Sequence, residues 1–126
     1  MIDHVSIAVR DLAVSAAAYE RILAPLGLKR VVARAGSVGF GKAYPEFWVN
    51  ERTAGARLPA DTGHHICLRA PDEAAVKAFH AVALEHGCTS AGDPGPRQGV
   101  MTGYYGAFIQ DRDGNKIEVA TFPRQA

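Results

Sequence analysis

Asp3-His4-Val5-Ser6-Ile7-Ala8-Val9-Arg10-Asp11, near the start of the chain, is answered in its middle by His64-His65-Ile66-Cys67-Leu68-Arg69-Ala70-Pro71-Asp72. Val5, Ile7 and Val9 alternate with His4, Ser6 and Ala8, the period of a strand that buries one face and leaves polar or small groups on the other. Ile66 and Leu68 alternate with His65, Cys67 and Arg69 in the same way. Each copy continues through an Asp able to cap a helix, Asp11 or Asp72, into a helical stretch that stops at a glycine, Gly27 or Gly87. Tyr19, Ile22, Leu23 and Leu26 recur at helical spacing in the first stretch, as do Val76, Phe79 and Ala83 in the second. The chain is therefore an internal repeat with a histidine at the head of each copy.

The rest of each copy follows one plan. In the first, Leu28 to Ala35 reads as a strand, Gly36, Gly39 and Gly41 punctuate short segments, and Glu46-Phe47-Trp48-Val49-Asn50 is the clearest later strand. Ala54 to Gly63, with Gly55, Pro59 and Gly63, is the connection, too short to separate independent domains. In the second, Asp93-Pro94-Gly95-Pro96 reads as a loop. Tyr104 to Gln110 and Lys116 to Thr121 read as strands joined by the tight turn Asp111-Arg112-Asp113-Gly114-Asn115. Each half is βαβββ. The expected fold is α+β: one domain over residues 1–126, with module 1 at about 1–58 and module 2 at about 63–126, whose mixed sheets curve into a cup.

Composition bounds the function. A chain of 126 residues with 48% hydrophobic content can hold one core without disulfides. Its two cysteines, Cys67 and Cys88, fit a reducing compartment, so residence in the cytoplasm is expected. No segment approaches the ~20 apolar residues needed to span a bilayer. The net charge is +1 with Lys and Arg scattered along the chain, which argues against nucleic acid and anionic lipid as partners and for a small-molecule substrate.

Strand parity locates candidate chemistry. His4, His65 and Glu118 each lie opposite the apolar set of their strand. If the two halves curl toward each other, that face is the inside of a shared cup and the three converge. Two imidazoles and a carboxylate form a facial set for a divalent transition metal with open positions for water or substrate. Taken singly, His4 can equally be a strand histidine bonded to backbone, and Glu118 a solvated carboxylate. Their placement at equivalent repeat positions, for the two histidines, favours the site.

These residues carry a resemblance to the vicinal oxygen chelate superfamily, which includes glyoxalase I, fosfomycin-resistance enzymes, methylmalonyl-CoA epimerase, extradiol dioxygenases and bleomycin-binding proteins. It rests on Ile2 to Val9 with Asp11, on His65-Ile66-Cys67-Leu68, and above all on Asp111 to Glu118, and spans almost the whole chain. It implies metal ligands at His4, His65 and Glu118, a bound Zn²⁺, Ni²⁺, Mn²⁺ or Fe²⁺, and a homodimer. It also implies a lyase or isomerase that chelates a small substrate through vicinal oxygens. Ring-cleaving dioxygenase chemistry and non-catalytic antibiotic binding are the alternatives. Glyoxalase I usually adds a glutamate on the strand of the first half that mirrors the one carrying Glu118; aligning Phe47-Trp48-Val49 with Ile117-Glu118-Val119 puts Trp48 there. Glu46, two residues earlier on the same face, can bind metal after a register shift, act as a base or simply be solvated, and is the candidate base. Trp48, Arg69, Tyr104, Tyr105 and Phe108 are candidate pocket residues, with Arg69 suited to orienting an anionic substrate. Cys67 reads as packing or nucleophile, Gln110 as a possible pocket lining, Arg97 as a lid residue in Pro96-Arg97-Gln98-Gly99, and His80 and His86 as surface positions on the second helix.

Overall fold

The computed structural model describes residues 1–97 and 103–122. Module 1 contains β1 (Val5–Val9), α1 (Leu12–Leu23) with a single 3₁₀ turn at Ala24–Leu26, β2 (Lys29–Ala33), β3 (Ser37–Gly41) and β4 (Phe47–Glu51). Module 2 contains β5 (Ile66–Arg69), α2 (Glu73–Glu85), β6 (Thr89–Gly95), β7 (Tyr105–Gln110) and β8 (Lys116–Thr121). The sheets have the orders β1-β4-β3-β2 and β5-β8-β7-β6, so the duplication extends to topology. In each, the first strand runs parallel to the last and the other neighbours are antiparallel. The α+β architecture of two mixed four-stranded sheets, with no closed barrel, matches the reading of the sequence.

Local chemistry sets the boundaries. The Asp11 carboxylate accepts from Val14 N at 3.2 Å and that of Asp72 from Ala75 N at 2.8 Å, each satisfying a free amide of a first helical turn. Gly27 at φ 77° and Gly87 at φ 90° supply the left-handed conformation that ends each helical stretch. The inward faces of both sheets and both helices form one apolar cluster, in which Tyr19, Ile22, Phe40, Phe47, Phe79 and Ile117 are almost fully buried.

Two expectations give way. Asp93-Pro94-Gly95 is not a loop: β6 runs through it to Gly95. This strand is at the sheet edge, where a proline without an amide hydrogen is tolerated, and register shifts between Ser90 and Gly92 and between Gly92 and Gly95 absorb the irregularity. His80 is not at the surface: it is 6% exposed, with Nε2 2.9 Å from Ser90 Oγ, and this burial holds its imidazole below the usual pKa despite the charge of nearby Asp93. His86, at the end of α2, is partly exposed.

The β7–β8 turn fastens the two modules together. Asp111 Oδ1 accepts from Asp113 N and Asn115 N, while its Oδ2 accepts from Tyr19 OH at 2.7 Å and Asn115 Nδ2 at 2.9 Å. The same Asn115 amide donates to Ala8 O at 2.9 Å. Asp113 Oδ1 takes Arg10 N and Nε, the latter at 2.7 Å, and Asp113 O takes Leu58 N. Asp111 is buried, which raises its carboxyl pKa against the opposing pull of these donors. The Tyr19 hydroxyl is pushed well above its usual range, by burial first and by the Asp111 charge second.

Candidate metal and substrate site

The ladders assign outer-face residues to common levels. Ser6 pairs with Trp48 in module 1 as Cys67 pairs with Glu118 in module 2, so Trp48 and Glu118 occupy equivalent places. Val5 N donates to Glu46 O at 2.9 Å, which puts His4 and Glu46 at the neighbouring level. In module 2, Phe108 pairs with Glu118 from the other side.

Glu118 is the centre of a small polar group. His65 Nε2 lies 2.8 Å from its Oε1, and Tyr104 OH donates to its Oε2 at 2.5 Å. The Glu118 side chain is 12% exposed and that of His65 is 39%, so the pair opens to solvent on the histidine side. Tyr104 is buried, and this burial, together with the Glu118 contact, raises its hydroxyl pKa. The Cys67 thiol is pushed up to about 12, by desolvation first and by Glu118 second, which keeps it protonated at neutral pH, and the residue lies exposed on the outer face and not in the core. The Phe108 ring meets the His65 ring edge-on at 5.4 Å and carries Lys116 Nζ at 5.1 Å.

His65 Nε2 and Glu118 Oε1 fit as two ligands of one divalent ion. Bonds of about 2.1 Å at near-right angles place adjacent donors about 3 Å apart, and the donor set is one that transition metals take. Within the single chain they have no third ligand: no group of three His, Cys, Asp or Glu among the described residues is placed to hold a metal ion. His4 stands apart, with Nδ1 2.7 Å from Asp3 Oδ1 and its side chain 51% exposed. Asp3 also accepts from Tyr44 OH, and the His4 contact, then that of Tyr44, lower its carboxyl pKa.

The remaining candidates separate. Trp48 lies on the outer face of module 1 beneath the Arg34 guanidinium, whose carbon is 5.1 Å from the ring. A side chain at Gly39 would strike that indole, so the glycine makes its seat. Glu46 is exposed beside it. Arg69 lies over Phe122, with its guanidinium carbon 5.0 Å from the ring. Tyr105 faces the other way: it packs on the core cluster, with Lys77 of α2 5.9 Å from its ring, because its parity is that of Ala107 and Ile109. Gln110 Nε2 donates to Ala60 O in the connection. Arg97 donates to Asp93 O at 2.8 Å; the Gln98 and Gly99 of the expected lid lie outside the described residues. Phe122 was missed by the sequence reading, although extending the alternation Glu118, Ala120 by one step reaches it. Arg34 gave no signal, since nothing in its local pattern links it to Trp48.

Residues 1–119 match the family model described as the Glyoxalase/Bleomycin resistance protein/Dioxygenase superfamily. The chain belongs to this superfamily. A glyoxalase/bleomycin resistance protein from Albidiferax ferrireducens is 30% identical, with a TM-score of 0.81 over 94% of this chain and 97% of that one. The fosfomycin resistance protein FosX from Listeria monocytogenes shares the fold at 19% identity, with a TM-score of 0.70 over 98% of this chain and 93% of its own. A glutamate-to-glutamine mutant of that FosX, 18% identical over 98% of this chain and 90% of its own, with a TM-score of 0.71, was solved with Mn(II) and 1S,2S-dihydroxypropylphosphonic acid. No curated protein matches this superfamily member in sequence. No helix among its described residues is long and apolar enough to cross a membrane.

Proposed function

We propose that this chain is a metal-dependent lyase or isomerase of the glyoxalase type, taking a small substrate through two adjacent oxygens. The observation that carries the reading is the His65–Glu118 pair, two donors 2.8 Å apart with the second carboxylate oxygen held by Tyr104. Such outer hydrogen bonds orient a ligating carboxylate and fix which oxygen faces the ion. The third ligand in this reading is His4 of a second copy of the chain. His4 occupies the repeat position equivalent to His65 and is not placed with the pair in its own chain. Two chains docked in this way form two sites, each joining the outer face of one module 1 to that of the other module 2.

A divalent ion held by His65, Glu118 and His4 of a second copy would supply Lewis-acid stabilisation of an oxyanion on the chelated substrate. The chain's own groups do the rest. Glu46 arrives with His4, and its carboxylate takes the proton from the carbon beside the chelated oxygens. Trp48, at the ladder place equivalent to that of Glu118, offers no ligand and walls the pocket. Phe108 packs edge-on against the His65 ring and orients it.

Elemental analysis of purified protein tests the reading. Wild type is expected to hold about one transition-metal ion per chain, and His4→Ala, His65→Ala and Glu118→Ala to lose it. Protein that takes up no metal on reconstitution overturns it and points to ligand sequestration instead.

A further inference from the structure

The outer-face series of the two repeats end differently. His4, Ser6, Ala8 ends on a methyl group, whereas His65, Cys67, Arg69 ends on a cation. Arg69 pairs in register with Ala120, two residues past the Cys67–Glu118 pair, which sets it about 7 Å along the strand from the level of Glu118. Its guanidinium lies over Phe122, and Phe122 meets Tyr104 edge-on at 5.5 Å, so Arg69 is braced against the residue that holds Glu118. Stacking orients a guanidinium while leaving its N–H edges available. Among the described residues Arg69 has no ion-pair partner.

Beside it opens a cavity of about 530 Å³. Arg69 and Lys42 line it together with Pro25, Leu26, Pro71 and Phe122, and no acidic residue is among its described walls. Two cations with no ion-pair partner among the described residues, one of them pre-oriented, on a wall of mostly apolar residues with Thr121, form a receptor for an anion carrying an apolar body. We propose that the substrate bears a carboxylate or phosphoryl-type anionic group held by Arg69 and Lys42. The position of the reacting end rests on the metal reading above; the anion site rests on Arg69 and Lys42 alone.

Binding is measured on chelator-treated protein with three probes: phenylphosphonate, phenylacetate and neutral 2-phenylethanol, followed by ligand-observed NMR. At least one anion is expected to bind about tenfold or more tightly than the alcohol, with Arg69→Gln weakening it about tenfold and Lys42→Gln severalfold. Preference between the two anions identifies the phosphoryl or the carboxylate source. Arg57→Gln, in the exposed connection where among the described residues Arg57 bonds only Leu58 O, is expected to change nothing. The proposal is overturned if neither anion binds, if the alcohol binds as well as both, or if Arg69→Gln and Lys42→Gln both leave the affinity unmoved. Should Arg69→Gln fail to fold, Lys42→Gln alone decides. Arg69-dependent anion binding in protein that takes up no metal sinks the metal reading and leaves this one standing; metal uptake without anion binding does the reverse.

Discussion

Tyr104 and Tyr19 each donate a phenolic hydroxyl to a carboxylate, with different consequences. The Tyr104 hydroxyl fixes the Glu118 oxygen that does not face His65. Tyr104→Phe is expected to lower metal affinity by about 10- to 100-fold, the usual effect of removing an outer partner of a ligand, in a competition titration with a chelator. Tyr19 instead holds Asp111, and Tyr19→Phe is expected to cost about 1–3 kcal/mol in urea unfolding with metal content unchanged. The Tyr19 contact also carries a pH signature. Its folded pKa lies well above the ordinary value of 10.0, so the native state keeps this proton after the unfolded chain has lost it. The stabilisation is fully present below pH 10 and is lost as pH rises past that value. Urea midpoints measured from about pH 8 to about pH 11 should fall less steeply in Tyr19→Phe than in wild type.

Among the elements, the β7–β8 hairpin carries Glu118 and Phe108, and a glycine makes room for the Tyr104 that holds Glu118. A Cβ at Gly106 would overlap the Tyr104 hydroxyl and crowd Val119 O. Gly106→Ala should therefore displace Tyr104 and reproduce the loss of metal affinity of Tyr104→Phe, with added destabilisation visible as a lower Tm. Elements such as these were legible because their periods were clean: β1, β5, β7 and β8 alternate, and α1 and α2 begin at Asp caps and stop near glycines. β6 was illegible because Ser90-Ala91-Gly92-Asp93-Pro94-Gly95 has turn composition and is held as a strand only by its pairing with β7. His80 was misplaced for a related reason: Ser90 and Asp93, which face it, belong to that same strand. Parity found Glu118 and His65 on one face, yet the parity of β7, uncertain from sequence, left both Phe108 and Tyr105 among the pocket candidates, and only Phe108 lies on that face. The distance of His4 from its partners had no local sign, since a repeat states equivalence and not how two copies of a module meet.

At the scale of the molecule, the reading requires a second chain. Two inactive variants, His4→Ala and Glu118→Ala, should complement on mixing. A mixed dimer has one site with both defects and one with neither, so about half of the wild-type metal content per dimer is expected to return in the mixed species. Sedimentation should show a dimer, and no recovery on mixing would assign the third ligand elsewhere. The clasp formed by Asp111, Asp113 and Asn115 constrains this assembly, because it fastens module 2 to Ala8, Arg10 and Tyr19 of module 1. The two outer faces of one chain are consequently fixed relative to each other before a partner docks. The same clasp bears on biosynthesis. Ala8 and Asn115 are 107 residues apart in the chain, so at about 5–20 residues per second the ribosome delivers the second roughly 5–20 seconds after the first. Through that interval β1 and α1 wait with the acceptor at Ala8, the Arg10 guanidinium and the Tyr19 hydroxyl unmatched, and a nascent chain halted before Asp111 is the form that chaperones would have to shield.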